Sequence, residues 1–128
     1  MDNAAANRTA LLETLAAALM LAVGMGFGRF AYTGMYPLMV RDGLLAVSSG
    51  SFAASANYAG YLAGALLISR SPASAAASLC KIGLAGTVLC LAMLGIDLNP
   101  MSIAIIRFGA GVLSAMLMVS ASAWLFQV

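Results

Sequence analysis

The sequence contains no histidine. That removes the commonest metal ligand and the commonest acid–base group at neutral pH. Charge is nearly as scarce: six Lys or Arg and four Asp or Glu make up 8% of 128 residues, against roughly 25% in soluble domains. A soluble globule of this composition would lack the polar surface needed to stay dispersed. The net charge of +2 comes from scattered residues, so no basic patch for nucleic acid is expected. The two cysteines, Cys80 and Cys90, fall in one expected helix. At that spacing they stand about 15 Å apart, beyond disulfide reach, and read as small apolar residues. Nucleophilic triads and paired carboxylates are missing. Gly24-x-Gly26-x-Gly28 follows no strand, so it is not a dinucleotide loop. No metal, no cofactor and no enzyme activity is expected.

What remains is apolar: 63% hydrophobic residues and a mean hydropathy of +1.02. The fold class is therefore all-α, a polytopic membrane protein. One membrane domain over residues 1–128 is expected, with helices at about 10–40, 51–69, 75–96 and 101–127. The apolar run after Arg8 is longer than a signal-peptide core, so it reads as an uncleaved first span. Residues 1–9 read as a polar lead with Thr9 as a helix cap. Between Ala10 and Val40 the only charges are Glu13 and Arg29. Some 45 Å of helix must fit ~30 Å of hydrocarbon. Gly24, Gly26 and Gly28 are the easiest places for a bend or a close helix contact, and Pro37 falls in the last turns.

Ser48 or Ser49 is the expected cap of the second helix, and Pro72 stops it. Ala56, Gly60 and Gly64 form a small-residue stripe for close helix approach. The third helix is almost wholly apolar after Lys81, which suits a lipid-facing position. Pro100 opens the fourth helix; Gly111 belongs to its small-residue series. Arg8, Arg70 and Lys81 fall at one membrane face and Arg41 at the other, which places both termini in the cytoplasm.

Two arginines lie inside spans. Arg29 is about 12 Å below the outer end of helix 1, and Arg107 about 10 Å below the outer end of helix 4. The helices are antiparallel, so both guanidiniums reach one level. No acid stands there: Asp42 and Asp97 are in outer loops, and Glu13 is placed in the first turn of helix 1, near the inner face. Intramembrane charge marks function by default, and two unpaired cations favour a carboxylate or phosphate. Arg29 shares its helix face with Tyr32, Thr33 and Tyr36. Asn57 and Tyr61 share a face of helix 2, from which Tyr58 is displaced. Structural readings stand beside these: Arg29 bonded to carbonyls, Arg107 snorkelling or paired with Asp97, Asn57 as interhelical glue.

Three stretches carry a family resemblance. They are Gly26-Phe-Gly-Arg-Phe-Ala-Tyr-Thr33 with Pro37-Leu-Met39, Ala54-Ser-Ala-Asn-Tyr-Ala-Gly-Tyr-Leu-Ala-Gly-Ala65, and Arg107-Phe-Gly-Ala-Gly111 with Ser114-Ala115 and Ala121-Ser-Ala-Trp124. Together they resemble the N-terminal part of a major facilitator superfamily transporter, closest to the bacterial YbfB/YjiJ-type branch. The resemblance implies a secondary transporter in the bacterial inner membrane, with helices 1 and 4 lining a cavity and helix 3 outside. It implies proton coupling at Arg107, whose arginine–glycine spacing matches the fourth-helix motif, and anionic substrate at Arg29. The loop after helix 2 keeps Arg70 but lacks the family's aspartate.

That superfamily has twelve spans in two halves, so a four-span chain reads as a truncated transporter. Its expected partners are lipid, a small solute, and a missing C-terminal portion or another copy of itself. Two alternatives stay open. One is an autonomous dimeric four-helix exporter of the small multidrug type, using Glu13. The other is an inactive membrane fragment.

Overall fold

The computed structural model describes residues 2–96 and 99–125. Every element in them is helical. In order they are α1 (Asp2–Leu21), a π-helical segment (Ala22–Phe30), α2 (Ala31–Arg41), α3 (Val47–Ile68), a 3-10 turn (Ala73–Ala75), α4 (Ala76–Leu94) and α5 (Pro100–Leu125). The first three run on without a break as one rod. Among the described residues three helices are long and apolar enough to cross a membrane: Asn7–Arg41, Ala76–Leu94 and Pro100–Trp124. With 22 residues, α3 spans about 33 Å and also has the length. Its serines, Asn57 and tyrosines keep its hydropathy lower. The chain is a multi-pass membrane protein.

Several boundaries differ from the sequence expectations. The lead is helical from Asp2, because its alanines are strong helix formers. Thr9 therefore lies inside α1 instead of capping it. Glu13 stands about 16 Å along α1, not in its first turn. The second helix starts at Val47, with Ala46 at the cap position and no side-chain cap bond. Ser48 and Ser49 fall within its first turn. The turn before it follows from Gly43, whose φ of 72° lets the chain fold back after α2. The amides of Gly43 and Leu44 then donate to the carbonyls of Val40 and Met39 at 3.1 and 2.9 Å. Pro100 does open α5, and the Asn99 side chain accepts the Ser102 amide at 2.9 Å. Asp97 and residue 127, the expected end of the fourth helix, lie outside the described residues.

The centre of the bundle is α5. Half of its span is buried within the protein, against 11% for the first rod and 17% for α4. Small residues allow this. Gly60 of α3 faces the backbone carbonyl of Phe108, and Gly111 of α5 faces that of Asn57; a Cβ at either would overlap those atoms. A Cβ at Gly64 would come within 2.8 Å of the Val112 backbone. On the other side Gly83 and Gly86 of α4 admit Leu117 and Leu113 of α5. The outward face of α4 is exposed at Ile82, Val88 and Leu89, as suits lipid.

Replacing Gly60 or Gly111 by alanine forces two backbones apart and costs about 1–3 kcal/mol. Gly34→Ala and Gly109→Ala, where a Cβ meets nothing within 4 Å, leave stability unchanged or higher. Unfolding in mixed detergent micelles reads the difference; equal midpoints for Gly60→Ala and Gly34→Ala would contradict this packing.

Candidate functional site

The site forms where the first rod leaves α-helical geometry. From Ala22 to Phe30 the turns are π-helical, and α bonding resumes with the Ala31 amide on the Phe27 carbonyl. Mid-helix π turns are rare and concentrate at functional positions. Arg29 lies in the last part of this segment.

Two of its glycines are pressed against other helices. A Cβ on Gly24 would stand 2.9 Å from Leu117, and one on Gly28 would stand 2.9 Å from the Ser114 hydroxyl and 3.0 Å from Thr87. The carbonyls of the same two glycines accept bonds from α5. Ser114 Oγ donates to Gly24 at 3.0 Å, and Arg107 Nη1 donates to Gly28 at 3.1 Å.

Arg107 is 2% exposed. Besides the Gly28 carbonyl, its guanidinium has the Tyr32 ring at 4.5 Å, within cation–π range. Its Nε is buried without a partner. Its own backbone carbonyl accepts the Asn57 side-chain amide at 2.8 Å. Tyr32 is buried, stacks on Tyr36 with ring centroids 6.0 Å apart, and donates to the Gly50 carbonyl at 3.3 Å. Tyr36 donates to the Val47 carbonyl at 2.9 Å. The two tyrosines thus tie α2 to the start of α3.

Arg29 is held differently. Its guanidinium lies over two rings of α3, 5.2 Å from the centroid of Tyr58 and 4.7 Å from that of Tyr61. Tyr61 also bonds the Met118 sulfur at 2.6 Å. Thr33, one turn on, donates to the Arg29 carbonyl at 3.5 Å. A pocket of about 140 Å³ opens here, lined by Arg29, Phe30, Thr33, Ala54, Asn57, Tyr58 and Arg107. Both intramembrane arginines face it, and no acidic side chain lines it. Among the described residues the ion pair is Arg41 with Asp42, at 3.0 Å in the loop.

Arg29, Thr33, Asn57 and Arg107 therefore come together, with Tyr61 beside Arg29. Tyr32 and Tyr36 sit behind Arg107 and outside the pocket lining. Sequence reasoning passed over Tyr58 and gave Ser114 no role. The Tyr58/Tyr61 spacing of three was the available signal: such residues share a helix face.

A helical bundle of this kind, with helices long and apolar enough to cross a membrane, is that of a polytopic membrane protein. Its family is set by residues 21–128, which match the family model of the uncharacterised MFS-type transporter YbfB; the chain belongs to that family. No curated protein and no solved structure matches the chain.

The tyrosine behind Arg107 can be tested by stability. Tyr32→Phe keeps the ring and loses one long hydrogen bond, costing under about 1 kcal/mol. Tyr32→Leu also removes the ring from a desolvated guanidinium and costs about 2 kcal/mol more. Equal detergent unfolding midpoints for the two variants would show that the ring contributes nothing.

Proposed function

We propose that the chain supplies one wall of a secondary transporter's binding site for a small anionic solute. The observation that supports this is the pocket containing Arg29 and Arg107 and no carboxylate. A fixed charge in a span is costly, and a solute carboxylate or phosphate can compensate it bidentately. In this reading Arg29, in cation–π contact with Tyr58 and Tyr61, presents its N–H edge to the solute. Thr33 and Asn57 add polar contacts, and Tyr32 and Tyr36 hold the wall behind.

Proton coupling is part of the proposal and centres on Arg107. The protein works in the bacterial inner membrane with both termini cytoplasmic, in keeping with Arg8, Arg70 and Lys81 on one side and Arg41 on the other. As a single membrane domain it acts with a second helical portion, either a C-terminal half or another copy.

The dimeric small-exporter reading draws one observation in its favour: Glu13 lies well inside α1. It predicts that Glu13→Gln abolishes drug-cation transport in proteoliposomes and that Arg29→Gln does not.

Binding to the chain in lipid nanodiscs tests the anion site with three probes on one aromatic frame: benzoate, benzamide and benzylammonium. Benzoate should bind roughly tenfold or more tightly than benzamide, a difference of about 1.4 kcal/mol, and benzylammonium should not bind. Arg29→Gln should erase the preference. Equal affinity for benzoate and benzamide in the unsubstituted chain would sink the anion reading.

A further inference from the structure

The glycines of the π segment do not all have the same reason to be there. Gly24 and Gly28 are explained by contact, since a Cβ on either presses on α5 or α4. Gly26 is not: a Cβ there meets nothing within 4 Å, and its φ is not positive. What glycine still does at that position is weaken the α-helix relative to alanine. It stands in the middle of the nine residues, Ala22–Phe30, that leave α geometry.

A weakened α-helix does not by itself choose a π turn. The selecting contacts come from α5. The helical hydroxyls of Thr14, Thr33, Ser51, Ser55, Thr87 and Ser122 bond back to the carbonyl four residues earlier. That is their ordinary habit. Ser114 is fully buried and instead donates across to Gly24 at 3.0 Å. Seven residues earlier on the same face of α5, Arg107 donates to Gly28. Two donors two helical turns apart on α5 thus meet two carbonyls of the widened segment. Arg29 follows Gly28 directly, so the direction of its side chain depends on how this segment winds.

We propose that Ser114 is a positioning residue: by donating to the Gly24 carbonyl it holds Ala22–Phe30 in the π-helical turn that aims Arg29 into its pocket. Gly26 makes the turn available and Ser114 fixes it. The functional consequence rests on Arg29 being the anion-binding group proposed above.

The test uses the full chain in lipid bilayers with 13C-carbonyl glycine and 15N-arginine. Gly28–Arg29 is the one Gly-Arg pair in the sequence, so it gives a single resolved correlation in solid-state NMR. Ser114→Ala removes the selecting bond. Gly26→Ala favours the α turn and touches no neighbour, so lost packing cannot explain its effect. Both variants should displace the Gly28–Arg29 correlation in the same direction, and the double variant should add little to either. Both should weaken benzoate binding roughly tenfold, the upper range for one hydrogen bond. An unchanged Gly28–Arg29 correlation in either single variant overturns the proposal. Displaced correlations with unchanged benzoate affinity uphold Ser114 as the positioning residue and overturn the anion role of Arg29.

Discussion

The central constraint is a guanidinium almost wholly enclosed by protein. Arg107 is enclosed at the middle of the bundle, where an unpaired charge would cost several kcal/mol. The surrounding structure compensates it without an acid. A carbonyl of the first rod, Gly28, and a ring of α2, Tyr32, come to the guanidinium. Gly28 reaches it only because it has no side chain facing Ser114 and Thr87. Tyr32 is held in turn by the Gly50 carbonyl at the start of α3. Asn57 of α3 bonds the backbone of Arg107 itself. One buried charge thereby draws the first rod, α3 and α5 into a single arrangement, and the glycine contacts of α5 with α3 let them approach.

The layout of rods was legible because hydropathy and charge placement carry it. A span must be apolar for about twenty residues, and the loops here are marked by Arg41-Asp42-Gly43 and Arg70-Ser71-Pro72. The convergence of Arg29 and Arg107 was legible from their depths below Pro37 and Pro100. The caps were not. The second helix begins on Ala46, which caps with backbone only, so no polar side chain announces it. Nor does sequence reveal where a helical lead such as Asp2–Thr9 starts when alanines replace a cap.

The π segment was the least legible feature. A π turn differs from an α turn by one residue in its hydrogen-bond spacing, and no side-chain pattern is peculiar to it. Gly24-x-Gly26-x-Gly28 announced a weak place in the helix, but bend, close contact and π turn all use glycine. Only the partners distinguish them. Those partners are Ser114 and Arg107, some eighty to ninety residues away in sequence. The same gap hid Tyr58, whose contact with Arg29 depends on how the first rod winds before it meets α3.

The two arginines look equivalent in sequence, and the fold divides them. Arg107 is engaged: its Nη1 holds a carbonyl of the first rod, its face is covered by Tyr32, and its Nε is buried without a partner. Arg29 is held by two tyrosine faces alone among these contacts, and such faces leave the N–H edge of a guanidinium open. On the anion-binding function proposed above, an anion entering the shared pocket meets two different responses. At Arg29 it gains charge-assisted hydrogen bonds without breaking a helix contact. At Arg107 it meets a guanidinium whose Nη1 already holds the Gly28 carbonyl, so it acts next to the junction of the first rod with α5. Affinity is then governed by the arginine that is free, and any movement of helices by the arginine that is engaged.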